Sequence, residues 1–237
     1  MTDDRDYSAR EYYKGEVAAG YTSHRTSSPA AVAKWAREQA ALQRLLAHAT
    51  PGATVLDLPC GDGRFVPMLA AAGFTPIGAD ISRDMMTVGR ERGAFAHVAG
   101  LVEADGEALP LRSASIDIAV SARFMNLVPL AVVGSVLREL ERVVRGDALV
   151  EVRVARNRAI DPVLRGLQRA RRLGRGTGSS SERAAVARDP LRVHPERALR
   201  ATVAAAGWRI GDIAEVRTSR LPIEPDPLWF VRLQHAR

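Results

Sequence analysis

The sequence has one cysteine, Cys60, in 237 residues. No internal disulfide framework can form, and a reducing compartment is expected. No run of about 18 apolar residues is present, so no membrane-spanning helix is expected. The opening MTDDRDYSAR is acidic and polar and does not resemble a secretory signal. A cytoplasmic protein is the expectation. The histidines (His24, His48, His97, His194, His235) are scattered without metal-ligand spacing, so no metal site is expected. No internal repeat occurs. Lysine is nearly missing too: Lys14 and Lys34 stand against 32 arginines, a skew that points to codon composition rather than to a designed polyelectrolyte. The net charge of +7 is also uneven, because residues 152–200 alone carry +9 and the rest sum to −2. Basicity belongs to one segment, not to the whole surface.

What is present is an alternation. Residues 30–49 place Val32, Trp35, Leu42, Leu45, Leu46 and Ala49 at helical spacing, with Thr50-Pro51-Gly52 as the stop. From residue 53 short apolar strands alternate with helices: ATVLDL, RFVPMLAAAG, FTPIGAD, then SRDMMTVGRERG with Ser82 as N-cap. HVAGLVEAD and SIDIAVSA follow as strands, LAVVGSVLRELERVVRG as a helix and DALVEVRVA as a strand. Strands apolar on both faces, alternating with helices, predict an α/β fold with a doubly wound parallel sheet. The rhythm breaks after residue 155. A helical stripe of Ile160, Val163, Leu164, Leu167 and Leu173 runs among arginines, and GRGTGSSS (174–181) is a loop by composition. Residues 194–207 return to helix, with His194 expected to cap it, and WRIGDIAEV and PLWFVRLQHA close the chain as paired strands.

The first strand-to-helix turn, in VLDLPCGDGRF (55–65), is the privileged ligand position of such a sheet. Gly61 and Gly63 allow close backbone approach. A dinucleotide fingerprint needs a third glycine where Val66 stands, so it fails. An acid, Asp57, precedes the glycines in a turn that would otherwise attract phosphate. An acidic turn suits a cofactor with positive charge and no phosphate, and S-adenosylmethionine has an ammonium, a sulfonium and no phosphate. The next strand ends in Asp80, where a carboxylate can accept from a ribose diol. The third ends at Asp105-Gly106, where an acid can accept from an exocyclic amine and the following N–H can serve a ring nitrogen.

With these residues in place, the chain resembles the class I S-adenosylmethionine-dependent methyltransferases of the small-molecule type. The resemblance rests on VLDLPCGDGRF (55–65), IGADISRDMM (77–86), EADGEALPLRSASIDIAVSARFMNL (103–127), ELERVVRGDALVEVRV (139–154) and the closing AAGWRI (205–210). It implies a Rossmann-like seven-stranded sheet with its last strand antiparallel. It also implies S-adenosylmethionine as cofactor and S-adenosylhomocysteine as product. Asp57, Cys60, Gly61 and Gly63 would frame the methionine end. Asp80 would hold the ribose, Ile81 pack on adenine, Asp105 and Gly106 bind the adenine edge, and Ser121 or Arg123 close the site. Asp117 matches an acid that is as often structural as catalytic. Relatives often carry a histidine just after the tetrad that reads RFMN (123–126) here; Leu127 stands in its place, so a histidine base is missing there.

The first 50 residues would form a helical lid on a 51–237 core. In similar enzymes a tyrosine of this region touches the site and an arginine meets the methionine carboxylate; Tyr21 and Arg25 are the candidates, with Tyr13 next. An N-terminal helix merely packed on the sheet is the other reading. The insertion 156–193 occupies the place of a substrate cap. Its arginines admit three readings: a solvated face, recognition of an acidic acceptor, or nucleic-acid binding. The last is disfavoured, because 152–200 has no Phe, Tyr or Trp to stack bases, and the chain lacks an Asn/Asp-Pro-Pro-Tyr motif. A basic amphipathic helix at a membrane surface, holding a lipid-like acceptor, fits as well. The expected function is methyl transfer to O, N or C of a small metabolite, with His24, Arg123 and Asn126 as catalytic candidates. An RNA methyltransferase and a non-catalytic cofactor-fold partner protein are the alternatives. Acceptor and oligomeric state are left open.

Overall fold

The computed structural model describes residues 13–26, 28–155, 163, 166, 192–217 and 226–236. Two helices, α1 (Gly15–Thr26) and α2 (Pro29–Leu46), precede the alternating part. That part runs β1 (Thr54–Asp57), α3 (Val66–Ala71), β2 (Thr75–Asp80), α4 (Arg83–Glu91), β3 (Gly100–Glu103), β4 (Ile118–Ser121), α5 (Leu130–Val143) and β5 (Ala148–Ala155). After the insertion come β6 (His194–Pro195), α6 (Glu196–Ala205), β7 (Trp208–Val216) and β8 (Leu228–His235).

The strands lie in the order β3-β2-β1-β4-β5-β8-β7, with two-residue β6 beside the end of β5. Pairs among β1 to β5 are parallel, and β8 runs antiparallel to both β5 and β7. This is the expected doubly wound sheet with its last strand reversed. Strand order turns back between β1 and β4, so the glycine turn that follows β1 sits at the topological switch point.

Each face of the sheet buries its own apolar set. Leu42, Leu45 and Leu46 of α2 and Met68 and Leu69 of α3 cover one face through Val55, Val120 and Phe230. Val132, Val136, Leu137 and Leu140 of α5, with Leu199 and Val203 of α6, cover the other through Leu56, Ala119 and Val150. Val32 is half exposed and does not join the α2 stripe, which instead takes in Glu38. Ser82 caps α4 as expected, its hydroxyl accepting from Met85 N at 3.2 Å.

His194 does not cap α6. The cap position is Pro195, and the buried imidazole pairs through Nε2 with the Met125 carbonyl at 2.6 Å. Burial holds its pKa below the usual histidine value. His194-Pro195 extends the sheet instead of beginning a helix, because Val154 and Ala155 still offer a free strand edge. Of the insertion 156–193, only Val163, Gly166, Arg192 and Val193 are described; the arginine-flanked stripe and the loop 174–181 lie outside the described residues.

Gly89 shows how tightly α4 sits on the turn after β1. A Cβ there would stand 2.4 Å from Phe95 Cε2 and 2.7 Å from the Asp62 carbonyl oxygen. The second neighbour is backbone and cannot swing aside. Gly89→Ala should therefore lose about 2 kcal/mol of stability through overpacking, read as a lowered urea midpoint with an unchanged slope. A variant as stable as the wild type would mean that α4 stands off the turn.

Candidate functional site

At the carboxyl edge of the sheet an open cleft of about 750 Å³, solvent-open mouth included, lies over the turn after β1. Pro59 to Asp62 form its floor, with Arg64 and Phe65 at the start of α3. Asp80, Ile81, Ser82 and Met85 come from the end of β2 and the start of α4, and Ala122, Arg123, Phe124 and Leu127 from the loop after β4. Tyr13 and Tyr21 close it from the N-terminal region, their rings edge to face at 5.6 Å. This region is tied to α4: the Gly15 N–H donates to Asp84 Oδ2 at 2.7 Å, and the Ser82 hydroxyl donates to the Tyr13 carbonyl.

A larger depression opens at the opposite edge, lined by His48, Asp117, Asp147 and Arg232. Its acids are already engaged. Asp117 accepts from Thr54 N at 2.9 Å and Thr54 Oγ1 at 2.7 Å and pairs with Arg145, and Asp147 pairs with Arg232 at 2.6 Å. The Thr54 hydrogen bonds, then Arg145, hold the Asp117 carboxyl below its ordinary pKa. This acid joins the amino ends of β1 and β4 and is structural. Ligands of parallel sheets bind at the other edge.

Asp80 organises the floor. Its Oδ2 accepts from Gly61 N and its Oδ1 from Ser82 N, both at 2.7 Å. Burial pushes its pKa up, and those N–H groups pull it back. Asp57 lies one layer lower. It is 1 % exposed, and both its carboxylate oxygens are buried without a hydrogen-bond partner. Burial, then Asp80 and Asp62, push its pKa well above the carboxylate range. An orphaned carboxylate under a glycine turn calls for a cation above it. Asp62 is ion-paired to Arg92 at 2.9 Å. Burial, then the Asp57 and Asp80 charges, hold the Cys60 thiol far above its usual pKa, so it stays neutral.

The two glycines differ in purpose. Gly61 has φ 54° and room for a Cβ, with only Met85 Cε at 3.4 Å. Gly63 has φ 77°, and a Cβ there would meet the Phe95 ring at 2.8 Å. Packing under the turn therefore excludes a side chain at Gly63.

Of the sequence-derived candidates, Tyr21, Cys60, Gly61, Asp80, Ile81 and Arg123 line the cleft together, with Tyr13. Ile81 is 40 % exposed, an apolar side chain held open where a flat ring could cover it. Asp57, Gly63 and Ser121 lie behind the lining; the Ser121 hydroxyl is fully buried at the end of β4 and has no hydrogen-bond partner. Asp105 and Gly106 fall just past β3, outside the lining, where Asp105 Oδ1 accepts from Glu107 N at 3.0 Å and Gly106 packs near Leu58 and Val136. Asn126 lies outside the lining of the cleft. Its amide oxygen accepts from Arg153 N and its carbonyl from Arg192 N, so it ties the loop after β4 to both ends of the insertion. His24 and Arg25 lie in α1, but their side chains are outside the described residues.

Sequence reasoning missed Arg64, Met85, Phe124 and Glu38. Glu38 is wholly buried in α2, and Arg123 Nη2 donates to its oxygens at 3.0 and 3.2 Å. One signal for it was available: 35, 38, 42 and 45 share one helical face, so a charge sits on an apolar stripe. Arg123 itself has φ 60°, a strained conformation for a side-chain-bearing residue, costing on the order of 1–2 kcal/mol. Among the described residues no group of three or more His, Cys, Asp or Glu could hold a metal, and no helix is long and apolar enough to cross a membrane.

Comparison with known proteins agrees with this geometry. Residues 56–152 match the family model described as a methyltransferase domain. A comparison with curated proteins gave no match. Among solved structures, magnesium protoporphyrin IX methyltransferase from Synechocystis PCC 6803 with bound SAH is similar at TM-score 0.66 and 15% identity, over 96% of this chain and 97% of that one. A SAM-dependent methyltransferase from Aquifex aeolicus is similar at TM-score 0.58 and 18% identity, over 92% and 98% of the two chains. Geranyl diphosphate methyltransferase in complex with GPP and sinefungin is similar at TM-score 0.61 and 16% identity, over 85% of this chain and 78% of that one. At such identities the structures speak for the fold, and the domain match speaks for residues 56–152. Taken with the acidic turn at the switch point, they give this chain a methyltransferase domain match over residues 56–152 on a Rossmann-like fold shared with S-adenosylmethionine-dependent methyltransferases.

Proposed function

We propose that the protein methylates an O, N or C atom of a small metabolite held in the cleft beneath Tyr13 and Tyr21. The observation that carries the site assignment is the orphaned Asp57 carboxylate under the glycine turn, with Asp80 at its rim. These residues fit the cofactor. Asp57 would balance its ammonium, Asp80 would accept from its ribose hydroxyls, Ile81 would cover its adenine, and Arg25 is the candidate for its carboxylate. Asp105, with the Gly106 N–H, would reach the adenine edge.

Bound there, S-adenosylmethionine supplies a methyl group on a sulfonium that leaves as a neutral thioether. The protein's own work is to hold the acceptor in line and keep water out. Such positioning can supply about 7–11 kcal/mol of a barrier. Tyr13, Phe124 and Leu127 give the walls their apolar character. The described lining offers little for proton removal: Cys60 stays a thiol, Asp62 is in an ion pair and Asp80 is hydrogen-bonded. An acceptor that is already nucleophilic, or one deprotonated by His24, suits this wall better than one needing a base at position 127. The insertion 156–193 is the proposed cap over the acceptor, with residues 1–50 as the lid.

Calorimetric titration with S-adenosylhomocysteine tests the assignment. One-to-one binding is expected. No binding by the purified protein, with or without cell-extract metabolites, would overturn it.

A further inference from the structure

The loop after β4 carries a charge that the cofactor does not account for. Arg123 is fixed by Glu38, and Lys34 Nζ lies 3.0 Å from the same carboxylate. Two cations share one anion, so the cluster keeps a net positive charge. Arg123 gives Nη2 to Glu38, while its Nε is buried with no hydrogen-bond partner among the described residues. On the adjoining wall Arg64 stacks over the Trp35 ring at 4.0 Å, and its Nη1 is buried and unpartnered in the same way. Two guanidiniums thus line one cleft, each holding a buried N–H with no partner among the described residues. Such groups are costly unless a ligand oxygen meets them.

The cofactor carries one carboxylate and can answer only one of the two. Arg64 directly follows the glycine turn, on the cofactor's side. Arg123 adjoins Phe124 and Leu127, which are apolar. Its left-handed backbone is a strain that the Glu38 contact holds in place, and strain of that kind gathers where a side chain must be aimed.

We propose that Arg123, held by Glu38 beside Lys34, is an anion subsite for the methyl acceptor, and that the acceptor is an amphiphilic acid. Its carboxylate or phosphate meets the Arg123 guanidinium, and its apolar body lies on Phe124 and Leu127. A guanidinium fork suits either anion. The proposal rests on the methyl-transfer reading and narrows it to one substrate class.

The test uses the whole chain saturated with S-adenosylhomocysteine and titrated calorimetrically with decanoate, decyl phosphate and decanol. At least one of the two anions should bind about tenfold or more tighter than decanol, and their ranking tells carboxylate from phosphate. Arg123→Gln should erase that preference and leave S-adenosylhomocysteine affinity unchanged. The double variant Glu38→Gln/Arg123→Gln, which leaves no unmatched buried carboxylate behind, should erase it equally; it serves if the single variant fails to fold. Decanol binding as tightly as both anions, absence of anion binding, or a preference that survives in the variants would overturn the proposal. So would a loss of S-adenosylhomocysteine affinity in Arg123→Gln, which would assign Arg123 to the cofactor carboxylate. Failure of the wild type to bind S-adenosylhomocysteine is seen before any acid is added, and strikes the methyltransferase site instead.

Discussion

Asp80→Ala is expected to weaken S-adenosylhomocysteine binding by about a hundredfold and to destabilise the free protein by about 2–3 kcal/mol. The two effects have separate sources. In the free protein Asp80 is 6 % exposed and accepts from Gly61 N and Ser82 N. Removing it leaves two backbone N–H groups without their acceptor, one in the glycine turn and one at the N-cap of α4. The turn then loses one tie to β2 and keeps the Cys60 N–H bond to the Ala79 carbonyl. In the complex the same carboxylate would also accept from the ribose, so the variant loses a charged acceptor as well as a shaped floor. Asp80→Asn separates the contributions. An amide keeps the shape and one acceptor oxygen but turns an NH₂ toward an N–H, so an intermediate loss of about tenfold is expected. Titration calorimetry and urea unfolding read both quantities. Wild-type affinity in Asp80→Ala would mean that the cofactor lies elsewhere.

The sequence made the floor of the candidate site legible and left the wall around Arg123 obscure, for a physical reason. Asp57, Gly61 and Asp80 stand in the strand ends and the tight turn that the parallel fold dictates, so local pattern finds them. Arg123, Glu38, Arg64 and Trp35 meet only because α2 brings Trp35 and Glu38 to the turn after β1 and the loop after β4, and no local spacing encodes that meeting. Glu38 alone betrayed itself, as a charge on an apolar stripe. Gly63 shows the converse. Its residue type was read as clearance for a ligand, whereas its Cβ position is closed by Phe95, some thirty residues later in the chain. Asn126 likewise looked like a site residue from its place in RFMN, and its amide oxygen accepts from Arg153 N. At both positions the motif residue also meets a packing or hydrogen-bonding demand. The parallel sheet followed from alternation and the reversed last strand from the resemblance, since an apolar strand by itself does not reveal its direction.

Asp57→Asn should act in opposite directions on the free and the bound protein. The free wild type buries a carboxylate with no hydrogen-bond partner, so an uncharged isostere should raise its stability by about 1 kcal/mol near neutral pH. The pH dependence follows from the sign of the shift. Burial, with Asp80 and Asp62, raises the folded pKa of Asp57 above its unfolded value. Its contribution to stability is complete below the unfolded pKa of about 3.9 and is lost as pH rises through the folded pKa. The gap between variant and wild type should therefore open as pH rises and level off above the folded pKa. Binding runs the other way. The carboxylate must ionise to meet the ammonium, so below the folded pKa wild-type affinity should fall by up to about tenfold per pH unit, with a proton released on binding. The variant should show neither effect, and should bind S-adenosylhomocysteine roughly thirtyfold more weakly where the wild type is ionised. Methylthioadenosine, which lacks the amino acid, should bind both proteins alike. Titrations between about pH 5 and 8 in buffers of different ionisation heat measure the proton directly. A variant that is less stable than the wild type, or that loses methylthioadenosine as well, would make Asp57 a structural acid rather than the counter-charge of the cofactor.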